Sequence, residues 1–310
     1  MRVFLTGATG FIGSHVARLL VAEGCEVYAL VRPGSNLWRI EDIVPLLQVV
    51  PYDLFEKEEL EAELSRIRPE LCLHLAWYAE PGKYLASREN IRLLNASLNL
   101  ATLLESLGCK RFVSAGTCFE YDTSLGYLSE TTPTAPSSIY AASKLALHLV
   151  LEQIAGASSM SVAWIRLFYQ YGPYEHERRL VSSVTRSLLR NQVAEATLGE
   201  QVRDFLHVED VALAAWAVAR SGLSGPVNIG SGEPVTVREI VTTIGAVLNR
   251  PELIALGALP DRASDPPFVC ADNRRLVENT GWAPRYGLEE GLGHTVAWWQ
   301  AHLRSCLVRA

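Results

Sequence analysis

"GATGFIG" occupies residues 7–13, and its reading decides the fold. Ahead of it, Met1-Arg2-Val3-Phe4-Leu5-Thr6 is a short apolar run. Behind it, Ser14 to Glu23 carries Val16, Leu19 and Leu20 along one helical face. The order predicted is strand, glycine turn, helix. Glycine permits a tight turn there and lets a phosphate approach backbone N–H groups at a helix N-terminus. The spacing is G-x-x-G-x-x-G, not the G-x-G-x-x-G of the common dinucleotide fingerprint, so the motif needs support from the rest of the chain.

That support begins with alternation. "CEVYALV" (25–31), "LQVV" (47–50), "LCLHLA" (71–76), "RFVSA" (111–115) and "SVAWIRL" (161–167) read as buried strands. Helical stretches lie between them, notably Asn90 to Leu107 and Ile139 to Ala155. Alternating βα units imply an α/β fold, a parallel sheet covered on both faces. Its ligands sit at the carboxyl ends of the strands. After Pro173 the regularity loosens: a helical segment (Val181–Asn191), "VRDFLHVEDV" (202–211), a helix to Arg220, "VNIGSG" (227–232), a helix from Thr236 and a Pro- and Asp-rich loop (260–267). In the final helix Leu288, Leu292, Val296, Trp299 and Leu303 form an apolar stripe, with Trp298-Trp299 read as core and rim.

Composition narrows the function. The chain has 310 residues, 49% of them hydrophobic and 20% charged, enough for a sizeable core. A net charge of −6 without a basic block argues against nucleic acid as a partner. No apolar stretch approaches the roughly twenty residues needed to span a bilayer. The glycine turn begins where a secretory signal would have its apolar region, so the expected location is the cytoplasm. Cys25, Cys72, Cys109, Cys118, Cys270 and Cys306 are scattered without a C-x-x-C pair. The histidines show no H-x-x-E-H or H-x-x-x-H spacing, and no metal site is inferred.

"YAASK" places Tyr140 and Lys144 four residues apart on one face of a helix. A tyrosine has a pKa near 10 in water, and a neighbouring ammonium is expected to lower it. The pair reads as a proton shuttle, with the lysine also free to bind a ribose hydroxyl. "SAGTCFEY" (114–121) closes the fifth strand. Its Thr117 offers a hydroxyl that polarises a carbonyl or alcohol oxygen during hydride transfer.

GATGFIG, "YAASK", "HLA" (74–76), "RDFLHVEDV" and "VNIGSG" together resemble the extended short-chain dehydrogenase/reductases that act on nucleotide sugars. The resemblance spans about residues 1 to 300. It implies a Rossmann-type doubly wound sheet at 1–170, joined by 205–230, and a smaller α/β substrate-binding region at 171–204 and 231–310. It implies that the turn around Gly7, Gly10, Phe11, Ile12 and Gly13 receives the pyrophosphate of NAD(P). Asp53 and Leu54 then flank the adenine, and Ala76 lies near the nicotinamide. Thr117, Tyr140 and Lys144 form the catalytic triad, the last two also touching cofactor. Arg203 and Arg262 fall where family members bind the nucleotide diphosphate, as bidentate donors do. Where the family carries asparagine after "RxF", "RLFYQYGP" has Tyr169, which suggests an altered sugar pocket. Trp77 and Tyr84 are candidates to line it. The expected substrate is a nucleotide-diphosphate sugar and the expected assembly a homodimer.

Within that family, dehydratases carry carboxylates just after the catalytic threonine, for an acid and a base. This chain has Cys118 and Phe119 there, and Glu120, one residue further, is expected to point elsewhere. Ketoreduction and epimerisation remain. The second strand ends in "ALVRPGSN" (29–36), with Arg32 and no acid for a ribose 2′-hydroxyl. Arg32 fits a 2′-phosphate, so NADPH is the preferred cofactor and NAD the alternative. The function expected is reduction of a nucleotide-linked 4-keto-6-deoxysugar, with 4-epimerisation on bound NAD as the second reading.

Overall fold

Strand β1 (Arg2–Thr6) runs into the glycine turn and out as helix α1 (Phe11–Ala22), in the order the sequence predicts. The computed structural model describes residues 1–260 and 265–309. Alternation continues through β2 (Glu26–Leu30), β3 (Gln48–Val50), α2 (Lys57–Ile67), β4 (Leu71–His74), α3 (Glu89–Ser106), β5 (Arg111–Thr117), the short β6 (Tyr127–Leu128), α4 (Ile139–Ala157) and β7 (Ser161–Leu167). Then come β8 (Tyr169–Tyr171), α5 (Leu180–Leu189), β9 (Ala194–Ala196), β10 (Val202–His207), α6 (Val208–Arg220) and β11 (Gly225–Ile229). The chain closes with β12 (Pro234–Thr236), α7 (Val237–Val247), β13 (Ile254–Leu256), β14 (Phe268–Ala271), α8 (Arg274–Thr280) and α9 (Leu288–Arg309).

Seven parallel strands make the main sheet in the order β11-β7-β5-β4-β1-β2-β3. The order reverses between β1 and β4, which is where a doubly wound sheet opens its binding crevice. Successive residues of each strand feed opposite faces. Val3, Leu5, Val113, Ala163 and Ile165 pack in one cluster with Val16 and Leu20 of α1 and Val211, Ala215 and Val218 of α6. Phe4, Phe112, Val162 and Trp164 pack in the other with Leu64, Leu100, Leu104, Leu147 and Leu151 of α2, α3 and α4. Burial on both faces is why these strands read as unbroken apolar runs.

A second sheet, β12-β10-β14-β6 with β8 beside β10, lies outside the first. Helices α5, α7 and α9 supply its own core: Val184, Leu188, Ile240, Ile244, Leu292 and Val296. The stripe of the last helix holds as read, with Trp299 buried at 4% exposure and Trp298 half-buried against Trp38, Tyr174 and His302. Among the described residues no helix is long and apolar enough to cross a membrane. Cys72, Cys109, Cys118 and Cys270 are buried free thiols, and Cys25 is half-buried.

Candidate active site

The cradle is built from glycine. Gly7 has a φ of +80°, and a Cβ there would come within 2.7 Å of the Ala76 nitrogen and 2.8 Å of the Leu75 carbonyl carbon. A Cβ at Gly13 would strike the Gly7 carbonyl oxygen. Gly10 is the N-cap of α1, with no side-chain cap and no acid in the first turn. The leading N–H groups of that helix, at Phe11, Ile12 and Gly13, thus lack the partner a serine or aspartate would give. An uncapped helix start behind a glycine turn fits a phosphate. The residues present therefore suit the pyrophosphate of a dinucleotide.

The neighbouring strand ends hold the other expected contacts. Arg32, just past β2, is 69% exposed, and its Nε lies 3.9 Å from Oδ2 of Asp53, the residue expected at the adenine. Leu54 beside it is buried. Leu75 and Ala76, expected within β4, lie beyond its end. The Ala76 N–H instead donates to Thr6 Oγ1 (3.1 Å). Thr6 is bonded in turn to His74 Nδ1 (2.8 Å), and His74 Nε2 to Ser97 Oγ (2.8 Å), which donates to the Leu93 carbonyl (2.6 Å). Donors and acceptors close if Nε2 of His74 carries the proton. Burial drives the His74 pKa down to about 3, so the histidine of "HLA" is a neutral strut that pins Ala76.

Thr117 ends β5 and caps the turn Cys118–Glu120. Its Oγ1 accepts from Phe119 N–H (3.3 Å), and its own N–H donates to Glu120 Oε1 (2.8 Å). Glu120, fully buried, turns into the interior, where Trp164 Nε1 (2.9 Å) and Arg166 Nε (2.8 Å) donate to its Oε2. The carboxylate after the threonine thus points elsewhere, as expected, and its work is to brace Thr117.

Ser138 caps α4 through Ala141 N–H (3.1 Å) and starts the helix that carries Tyr140 and Lys144. Lys144, 2% exposed, donates from Nζ to the Ala115 carbonyl (2.6 Å). The same nitrogen lies 3.7 Å from the centre of the Trp77 ring. Here one expectation is corrected: the Tyr140 pKa lies above its ordinary value, not below it. Burial raises the Tyr140 pKa above its ordinary value, Tyr84 adds to this, and a hydrogen bond with Thr117 opposes it. Lys144 is itself lowered to about 7, chiefly by burial, with the Glu120 charge pulling the other way. The pair shares a helical face, but the ammonium is turned to the end of β5.

The residues expected to line the sugar pocket have the following neighbours. Trp77 covers Lys144 and donates from Nε1 to Asn90 Oδ1 (2.8 Å). Tyr84 meets Tyr140 edge-on at 4.8 Å between ring centres. Tyr169, in β8, packs between Phe119 and Phe205 with the Arg203 guanidinium 5.5 Å above its ring. Arg203 is 3% exposed and pairs with Asp265 (2.7 Å). Its sequence neighbour Asp204 instead accepts from Ser231 and Gly232 N–H of "VNIGSG" and from Ala271 N–H. A Cβ on Gly230 would meet Asp204 Oδ2 at 2.6 Å, which explains that glycine. Arg262 lies outside the described residues.

Sequence spacing missed two features. Asn90, fully buried at the start of α3, donates from Nδ2 to the Tyr84 (2.6 Å) and Ser87 (2.8 Å) carbonyls. No periodicity marks it. His207, Glu209 and His294 come within 4.8 Å of one another, although no histidine spacing signalled a cluster. His207 Nδ1 accepts Glu209 N–H (3.3 Å), which leaves Nε2–H to donate to His294 Nδ1 (3.2 Å). Both ring nitrogens of His207 are engaged in tying α9 to the start of α6.

The sequence pattern of the NAD dependent epimerase/dehydratase family matches residues 3–230. The chain belongs to that family. It is 26% identical over 338 residues to the UDP-glucose 4-epimerase of Azospirillum brasilense, covering all of this chain and 94% of that one. The UDP-glucose 4-epimerase of Thermotoga maritima, solved with UDP-glucose, superposes with a TM-score of 0.88 at 27% identity, over 98% of this chain and all of that one. The Thermus thermophilus UDP-glucose 4-epimerase, solved with NAD, gives 0.83 at 26% identity, over 97% and 99%. These two solved relatives thus match nearly the whole chain, one solved with UDP-glucose and the other with NAD.

Proposed function

We propose that the chain reduces the 4-keto group of a nucleotide-linked 4-keto-6-deoxysugar with NADPH. The observation that carries this reading is the end of β2. Arg32 stands 69% exposed with no acid between Ala29 and Asn36, the arrangement that takes a 2′-phosphate rather than a ribose hydroxyl. The cofactor, when bound, supplies the hydride. Tyr140 gives the proton to the C4 oxygen, and Thr117 holds that oxygen by its hydroxyl. A phenol that burial keeps protonated is a donor, as reduction requires. Lys144 holds a ribose hydroxyl, and Arg203 with Arg262 grips the diphosphate. Residues 1–170 with 205–230 bind cofactor, and 171–204 with 231–310 bind sugar nucleotide. Dehydration is disfavoured, because Cys118 and Phe119 are not acids and Glu120 is held by Trp164 and Arg166.

A second reading, 4-epimerisation on bound NAD, is favoured by the end-to-end likeness to UDP-glucose 4-epimerases. The experiment is to mix the protein with NADPH and 4-keto-6-deoxysugars carrying dTDP, GDP, CDP or UDP. Stoichiometric NADPH oxidation supports reduction. Interconversion of UDP-glucose and UDP-galactose without net cofactor change supports epimerisation.

A further inference from the structure

Lysine has three N–H donors. On Lys144 one goes to the Ala115 carbonyl (2.6 Å), and a ring face lies 3.7 Å away at Trp77, well inside the roughly 6 Å over which a cation is held by an aromatic face. The ring is itself held, since its Nε1–H donates to Asn90 Oδ1 (2.8 Å). Asn90 is fully buried, and its amide nitrogen binds the carbonyls of Tyr84 and Ser87. One asparagine thus fixes the indole over Lys144 and the turn that sets Tyr84 against Tyr140. The segment is tethered on its far side, where Glu80 pairs with Arg178 and the Arg179 guanidinium lies over Tyr84.

We propose that Trp77, anchored by Asn90, is a positioning residue for Lys144: its indole face and the Ala115 carbonyl take two sides of the ammonium and aim the remaining N–H at the ligand. This rests on the reading of Lys144 as part of the reaction machinery. A positioning residue of this kind acts on turnover, because the substrate's main grip lies elsewhere.

The test uses the full chain with whichever C4 substrate the wild type turns over. Lys144→Met is measured first: if it keeps wild-type turnover, the underlying reading fails. With Lys144→Met inactive, Trp77→Leu is expected to lower kcat about tenfold or more, the worth of a desolvated cation–ring contact. KM for the nucleotide sugar should stay within about twofold. Trp77→Phe, which keeps a ring face, should recover most of the loss, and Asn90→Ala, which frees the ring, should fall between. A Leu variant with wild-type kcat overturns the proposal, as does a loss confined to KM or a Phe variant as damaged as Leu. If Trp77→Leu does not fold, fluorinated tryptophans placed at position 77 alone decide. Stepwise loss of kcat with fluorination supports the ring-face contact, and a flat series overturns it.

Discussion

The Lys144 ammonium donates a 2.6 Å hydrogen bond to the Ala115 carbonyl and so joins helix α4 to the last turn of strand β5. That strand ends two residues later in Thr117, so the contact ties the helix that carries Tyr140 and Lys144 to the strand that ends in Thr117. Glu120 secures the same strand end from within, through Thr117 N–H, Trp164 and Arg166.

Tyr140→Phe is expected to abolish turnover while leaving cofactor binding nearly intact. It removes the proton donor and little packing, and general acid catalysis contributes roughly a hundredfold or more. Steady-state kinetics alongside cofactor titration check this, and a wild-type kcat in the variant removes Tyr140 from catalysis.

Arg32→Ala should weaken NADPH more than NADH. A charge-assisted contact is worth about 1.5–3 kcal/mol, roughly ten- to a hundredfold in affinity. The 3.9 Å approach to Asp53 is an exposed pairing, of little worth by itself. Cofactor fluorescence titrations decide: equal effects on the two cofactors make Arg32 a bystander and favour the epimerase.

Arg203→Ala should raise KM for the nucleotide sugar by about tenfold or more, the worth of one charged hydrogen bond, with a smaller effect on kcat. The competing role is structural, and its partner is Asp265 (2.7 Å), not Asp204 or Asp210. Melting with and without nucleotide diphosphate separates the two. A large fall in Tm with unchanged KM assigns Arg203 to the fold.

Glu175 predicts a pH dependence of stability. It is buried, accepts from Ser182 Oγ (2.6 Å) and N–H (3.2 Å), and burial lifts its pKa from 4.5 to about 7. The folded state therefore holds this proton more tightly than the unfolded chain. The resulting stability is full below about pH 4.5 and is lost as pH rises through about 7, a change of about 3 kcal/mol. Glu175→Gln should flatten the Tm curve over that window and gain on wild type toward pH 8. Parallel curves for the two proteins would show that Glu175 does not titrate there.

The main sheet was legible because its strands are buried on both faces. "SVAWIRL" matches β7 residue for residue, and the glycine turn is dictated by the Gly7 and Gly13 contacts. The second sheet was not, since strands such as Tyr127–Leu128 and Pro234–Thr236 are too short to carry a period. Helix α2 escaped the reading because its surface is highly charged, although Leu60, Leu64 and Ile67 face inward. Local spacing placed Tyr140 and Lys144 on one helix, and "SAGTCFEY" placed Thr117 at the end of the fifth strand, where the structure has them. The indole over Lys144 was not, because Trp77 comes to it from the end of another strand and is held there by Asn90. The expected drop in the Tyr140 pKa failed for the same reason: sequence gives the helical face, whereas burial and the direction of Nζ are tertiary facts.

Under the proposed function Thr117, Tyr140 and Lys144 drive net reduction at C4 of a nucleotide sugar. The most direct measurement is single-turnover reaction of the purified protein with NADPH deuterated at its transferable position and a nucleotide-linked 4-keto-6-deoxysugar, followed by mass and NMR analysis of the sugar. The expected result is one deuterium at C4 of a 4-hydroxy product, one NADPH oxidised per sugar, and neither event in Tyr140→Phe. Interconversion of UDP-glucose and UDP-galactose with no deuterium delivered and no NADPH consumed would contradict it.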